Sequence, residues 1–209
     1  MVGAGSWGTT VAALLAAQDP TVLWARSPEL AEAITDRHEN PKYLPAITLP
    51  EGLRATTSLA EAVAGAQVVL MAVPSHGFRA VLAELAPALE AGAAIVSLAK
   101  GIEAGSNLRM SEIVAQVLPG HPAGVLSGPN LAREVAEGQP AATVVALPDE
   151  QTAQMVQRHL HCGTFRVYTG TDVVGCEIAG STKNDPRSAR LQKRKPLKIG
   201  NSRMPRKTN

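Results

Sequence analysis

Gly3, Gly5 and Gly8 stand at the spacing Gly-x-Gly-x-x-Gly, and the residues after them open into a helical pattern. Glycines so placed let the backbone approach a dinucleotide pyrophosphate, while the following helix N-terminus offers N–H donors and a positive dipole end. Short glycine patterns also arise by chance, so the neighbouring residues decide the reading. Arg26 ends the apolar run Thr21–Ala25, where an acidic residue would bind a ribose 2′-hydroxyl. A guanidinium there stacks on adenine or pairs with a 2′-phosphate, which tilts the cofactor towards NADP without excluding NAD. The alternative for Arg26 is a solvated residue at a strand end. Lys100 follows the apolar run Ala94–Leu98, and Lys183 sits in Gly-Ser-Thr-Lys-Asn. An ammonium can polarise a carbonyl, donate a proton to it or bind a phosphate, although most lysines are simply solvated. Ser127-Gly-Pro-Asn-Leu-Ala132 is a turn between strand and helix, suited to presenting N–H groups to an anion.

These residues need a scaffold, and the hydrophobic pattern supplies one. Helices are predicted at Thr9–Ala17, Pro28–His38, Ser58–Ala64, His76–Leu89, Arg109–Leu118, Asn130–Glu137 and Glu150–Leu160, with a helix start at Asp172–Ile178. Strands are predicted at Thr21–Ala25, Val68–Val73, Ala94–Leu98, Gly124–Ser127, Thr143–Leu147 and Phe165–Tyr168. Ser58 and Glu61 have capping-box spacing. A proline-rich connection passes through Pro41, Pro45 and Pro50. The alternation reads as an α/β fold, a Rossmann-like doubly wound parallel sheet with ligands at the strand C-termini.

The chain has 209 residues, 45% hydrophobic and 3% aromatic, so a core of Ala, Val, Leu and Ile is expected. Its net charge of +2 is unevenly spread. Residues 185–209 carry nine basic side chains against Asp185, leaving 11 basic and 17 acidic residues before them. The acidic body argues against a specific nucleic-acid partner. The basic segment lacks periodicity and aromatics and is expected to be disordered; phosphate-backbone binding through it ranks low. Cys162 and Cys176 read as reduced thiols, and no metal site is predicted at His76, His159 or His161. No signal peptide or membrane-length apolar run is seen, which predicts a cytoplasmic protein without a membrane partner.

The segments GAGSWGT, VLWAR, NPKYLP, VPSH, SLAKGIE, SGPNLAREVA, PAATVVA, HCGTFRVY and DVVGCEIAGSTKN follow one another across Val2–Asn184. Together they resemble the bacterial NAD(P)-dependent glycerol-3-phosphate dehydrogenases. The resemblance implies an oxidoreductase interconverting sn-glycerol 3-phosphate and dihydroxyacetone phosphate with NAD or NADP, in glycerophospholipid synthesis. It implies cofactor contacts at Gly3, Gly5, Ser6, Trp7, Gly8, Arg26, Tyr43, Lys100 and Ala132. Substrate contacts would come from Lys100, Gly128, Asn130 and Lys183, with Lys183 the catalytic proton donor. SLAKGIE and SGPN argue against a related 3-hydroxy-acid dehydrogenase. A homodimer is compatible with the resemblance.

The same comparison sets the expected organisation: a dinucleotide-binding domain over 1–170, the beginning of a helical substrate domain over 171–184, and a basic tail over 185–209. The first strand is reduced to Met1 and Val2, and residues upstream of Met1 are the expected source of the rest. Asp185-Pro186 breaks the helix expected beyond Lys183, and the change of composition there reads as a shifted or misjoined frame. A catalytically inactive nucleotide-binding remnant is therefore the alternative to a working dehydrogenase.

Overall fold

The computed structural model describes residues 1–182. The chain leaves Val2 through the glycine loop into α1 (Ser6–Ala16), then runs β1 (Thr21–Trp24), α2 (Pro28–Asp36), β2 (Glu39–Asn40), β3 (Leu44–Thr48), β4 (Leu53–Thr56) and α3 (Leu59–Val63). Next come β5 (Val68–Met71), α4 (Ser75–Leu85), β6 (Ala94–Ser97), α5 (Met110–Val117), β7 (Ala123–Ser127), α6 (Ala132–Ala136), β8 (Ala141–Ala146), α7 (Glu150–Leu160), β9 (Phe165–Gly170) and α8 (Val173–Thr182).

β5 to β9 lie side by side in chain order, and β1 pairs with β4 as a separate parallel ribbon. Val2 joins the two, making parallel bridges to Trp24 and to Met71. The Val2 N–H donates to the Leu70 carbonyl at 2.8 Å and its carbonyl accepts from Ala72 N–H at 2.7 Å. On the other side, Trp24 N–H donates to the Met1 carbonyl at 2.9 Å and Gly3 N–H to the Trp24 carbonyl at 3.1 Å. Short as this first strand is, Met1 to Gly3 pair with both flanks at this end. The order reverses at Val2, and the glycine loop emerges at that switch point, where open α/β sheets bind ligands.

The sheet is parallel except that β7 and β8 are antiparallel. The antiparallel pair turns back directly through the SGPN turn and the short α6. Successive residues of a strand face opposite layers. Leu70 and Val96 join the cluster with Val11, Ala12, Val156 and Leu160, whereas Val69, Met71 and Ile95 join Phe78, Leu82 and Ile113. Burial on both faces is why the strands read as unbroken apolar runs.

Some local expectations need correction. β4 and the antiparallel pair of β2 with β3 occupy stretches that read only as connection. Their burial is discontinuous and they carry Pro45 and Arg54, so no strand period stands out. At α3 the capping box is half formed. Glu61 N–H donates to Ser58 Oγ at 3.2 Å, while the Glu61 carboxylate accepts from Thr56 Oγ1 instead of reaching back to Ser58.

Candidate dinucleotide and substrate site

The glycine loop is shaped by close packing at its two ends and openness at its centre. Gly3 has φ of +109°, and a Cβ there would lie 2.8 Å from the Ala72 carbonyl oxygen. A Cβ on Gly8 would lie 1.9 Å from the Gly3 carbonyl oxygen, so the start of α1 presses on the loop. Around Gly5 nothing lies within 4 Å of a Cβ position. No side chain caps α1, and its first turn carries no acid. Bare N–H groups and a positive dipole end therefore border the open face of Gly5, which suits an anion.

Gly3, Gly5, Arg26 and Tyr43 line one hollow of about 530 Å³, together with Ser27, Lys42 and His76. A dinucleotide fits this donor set: a cradle with room at Gly5 and cations at the end where an adenosine would lie. Ser6 and Trp7 belong to the same turn but do not line the hollow with their side chains. Ser6 Oγ donates to the Tyr43 carbonyl. The Trp7 indole meets Phe165 edge-on at 6.1 Å between ring centroids. Ala132, at the start of α6, accepts from Thr10 Oγ1 at 3.1 Å and so sits against α1.

One organising residue escaped the sequence reading. Asn40 is fully buried, and its Nδ2 donates to the Ala4 carbonyl at 3.0 Å and to Thr9 Oγ1 at 2.8 Å. Its Oδ1 accepts from Tyr43 N–H at 3.0 Å. It ties the glycine loop to the segment carrying Lys42 and Tyr43. The only sequence hint was a polar residue before Pro41.

Lys100 stands exposed just past the C-terminal end of β6, outside the hollow. Its loop is fastened by Glu103, which takes a paired contact from Arg79 at 2.8 Å per bond and a hydrogen bond from Ser106 at 2.6 Å. Those partners hold the Glu103 carboxyl down at about 2, Arg79 being the largest cause.

Gly128 and Asn130 meet in the turn after β7. A Cβ on Gly128 would lie 2.8 Å from both the Ala142 carbonyl oxygen and Asn130 Nδ2. Asn130 Nδ2 is buried and has no hydrogen-bond partner among the described residues. A buried amide donor without a partner is costly unless a ligand or water satisfies it. α8 runs past this turn: a Cβ on Gly180 would lie 3.0 Å from Ser127 Oγ. The helix is held there by Glu177, which accepts from Ser111 N–H and Arg109 Nη1, each at 2.9 Å. Lys183 and the basic segment 185–209 lie outside the described residues. Of the histidines, His76 borders the hollow, His159 contacts Asp19 at 2.8 Å, and His161 Nδ1 accepts from Val167 N–H at 3.4 Å.

The reversed sheet order, the uncapped α1 and the open glycine define a dinucleotide-binding α/β fold. Residues 1–153 match the family described as the N-terminus of NAD-dependent glycerol-3-phosphate dehydrogenase, and the chain belongs to that family. It is 53% identical over 184 residues to glycerol-3-phosphate dehydrogenase (NAD(P)+) 2 of Sphingopyxis alaskensis, covering 88% of this chain and 55% of that protein. It is 55% identical over 187 residues to the Corynebacterium glutamicum glycerol-3-phosphate dehydrogenase (NAD(P)+), covering 88% and 56%. The crystal structure of the Coxiella burnetii glycerol-3-phosphate dehydrogenase superposes with a TM-score of 0.82 at 36% identity, covering 88% and 56%. The chain thus spans about half the length of the curated relatives it matches.

Proposed function

We propose that this chain supplies the dinucleotide-binding half of an oxidoreductase that interconverts sn-glycerol 3-phosphate and dihydroxyacetone phosphate, feeding glycerophospholipid synthesis. The observation that carries this reading is the open cradle at Gly5, set at the sheet's switch point beside an uncapped α1. Residues 1–170 form the nucleotide unit and 171–184 begin a helical substrate unit, with 185–209 a separate tail.

When bound, reduced NAD or NADP supplies the hydride. The loop N–H groups from Gly5 to Gly8 would donate hydrogen bonds to the pyrophosphate, with Thr10 of α1 tied to the Ala132 carbonyl. Arg26 and Tyr43, which line the same hollow, would hold the adenosine end. The Arg26 charge, with Lys42 lining that hollow, favours a 2′-phosphate and hence NADPH over NADH. Asn130, on the turn with Gly128, would offer its amide to the substrate, and Lys100 would contact both substrate and cofactor, as its motif implies. Lys183 donates the proton to the carbonyl oxygen as the alkoxide develops; this role rests on the resemblance of its motif.

Among the described residues no helix is long and apolar enough to cross a membrane. We place the protein in the cytoplasm, consistent with the free thiols Cys162 and Cys176. A homodimer belongs to the same reading, and light scattering of the purified chain measures it.

The deciding assay is dihydroxyacetone phosphate-dependent oxidation of NADPH and NADH, with Lys183→Ala alongside and nucleotide binding measured separately. Turnover abolished by Lys183→Ala supports a working dehydrogenase. Nucleotide binding without turnover supports the alternative, a catalytically inactive nucleotide-binding remnant. Absence of nucleotide binding overturns both.

A further inference from the structure

Arg26 stands just past β1 and Lys42 in the turn between β2 and β3, and both line the hollow of about 530 Å³. Among the described residues no carboxylate pairs with either cation. Ser27, next along the chain from Arg26, accepts from Leu30 N–H at 3.4 Å and donates to the Glu29 carboxylate. That carboxylate brings a negative charge to the Arg26 end, so a dianion docking there gains from a second cation.

A lysine side chain has many rotamers, and Lys42 serves as that cation only if its turn holds it in place. The turn is fastened at both ends. Asn40 Oδ1 accepts from Tyr43 N–H at 3.0 Å, closing the chain across Pro41 and Lys42. Asn40 Nδ2 donates to the Ala4 carbonyl in the glycine loop and to Thr9 Oγ1 on α1. From the first residue of α1, Ser6 Oγ donates to the Tyr43 carbonyl. The Lys42 ammonium lies 5.1 Å from the centroid of the Tyr43 ring, within cation–π reach. Every one of these ties leads back to the elements that border the open face of Gly5. The turn is thereby set at a fixed distance from the pyrophosphate cradle, and the fully buried Asn40 is its anchor.

We infer that Lys42 is a specificity-determining residue, the second cation beside Arg26 for a phosphate on the ribose 2′ position, and that Asn40 is the positioning residue that holds it there. The inference rests on the dinucleotide reading of this hollow. Asn40 touches no nucleotide in this role and acts through the turn. Losing it lets the turn move relative to Gly5, which deprives NADPH of the ammonium. NADH carries no phosphate at that position and has nothing there to lose.

The test measures the Kd of NADPH and of NADH by titration calorimetry for the parent, Lys42→Gln, Asn40→Ser and the double variant, with a thermal melt of each. Lys42→Gln alters an exposed side chain and leaves the core alone. It is expected to weaken NADPH about tenfold, the scale of one charge-assisted contact, with little change for NADH. Asn40→Ser is expected to narrow the ratio of the two affinities in the parent and to leave it unchanged in the Lys42→Gln background. Thr9→Val removes one anchor of Asn40 and takes the place of Asn40→Ser if that variant does not fold, with the same narrowing expected. A parent that binds neither nucleotide overturns the dinucleotide reading and this inference with it. A parent that binds both alike, an unchanged ratio in Lys42→Gln, equal losses for both nucleotides in Asn40→Ser, or further narrowing in the double variant overturns this inference and leaves the dinucleotide reading standing.

Discussion

Gly5 and Gly8 differ in role as well as in position. A methyl group at Gly8 collides with backbone at 1.9 Å, whereas one at Gly5 meets nothing within 4 Å. Gly8→Ala is therefore expected to lower the denaturation midpoint and to abolish nucleotide binding, because the loop must shift. Gly5→Ala is expected to keep its Tm yet weaken NADPH binding about tenfold or more, the 1.4 kcal/mol scale of one lost close approach. Titration calorimetry beside thermal melts separates the two. Equal losses of stability at both sites would mean that the open space at Gly5 is filled in solution. The same motif thus contains one glycine needed by the fold and another available to a ligand, a distinction the spacing alone does not contain.

Elements are fixed to one another here by a few carboxylates. Glu177 on α8 is only 7% exposed in its side chain and receives Arg109 and Ser111 at the start of α5. Glu177→Gln replaces charge-assisted bonds by weaker ones and is expected to cost about 2 kcal/mol, with faster hydrogen exchange confined to α8. Uniform exchange across the sheet would count against a local clamp. Glu103, bound by Arg79, secures the loop after Lys100 to α4. Its folded carboxyl lies near 2 against 4.5 unfolded, so its contribution is complete above 4.5 and disappears as pH falls towards 2. Glu103→Gln should lower Tm at pH 7, with the gap to the parent closing by pH 2. A gap that persists at pH 2 would assign the effect to packing instead.

For the whole molecule, the glycine loop of the candidate nucleotide site begins at the bridge between β1 and β5, so the site and the sheet share one joint. A ligand that binds only the folded state stabilises it by about 2.7 kcal/mol at a hundred times its Kd. NADPH should therefore raise Tm, NADH should raise it less at equal concentration, and Arg26→Gln should bring the two together. A preference unaffected by Arg26→Gln would move the specificity to Lys42 or Ser27, which line the same hollow.

The amino-acid sequence by itself determined the layered α/β alternation, the glycine loop, the family resemblance and the order of the main helices and strands. These are carried by local periods and short motifs: runs such as Val68–Met71 or Ala94–Ser97 are apolar because both faces are covered. Only the tertiary structure decided the rest. It made Val2 the joint of the sheet, turned β8 antiparallel to β7, and built β4 from a stretch with Arg54 in it. It also gave Asn40 the loop it holds and Glu177 the helix it caps, the latter pairing 66 to 68 residues away. A hydrogen bond depends on where two groups meet in space, and partners so distant in the chain leave no period or spacing by which either could be found.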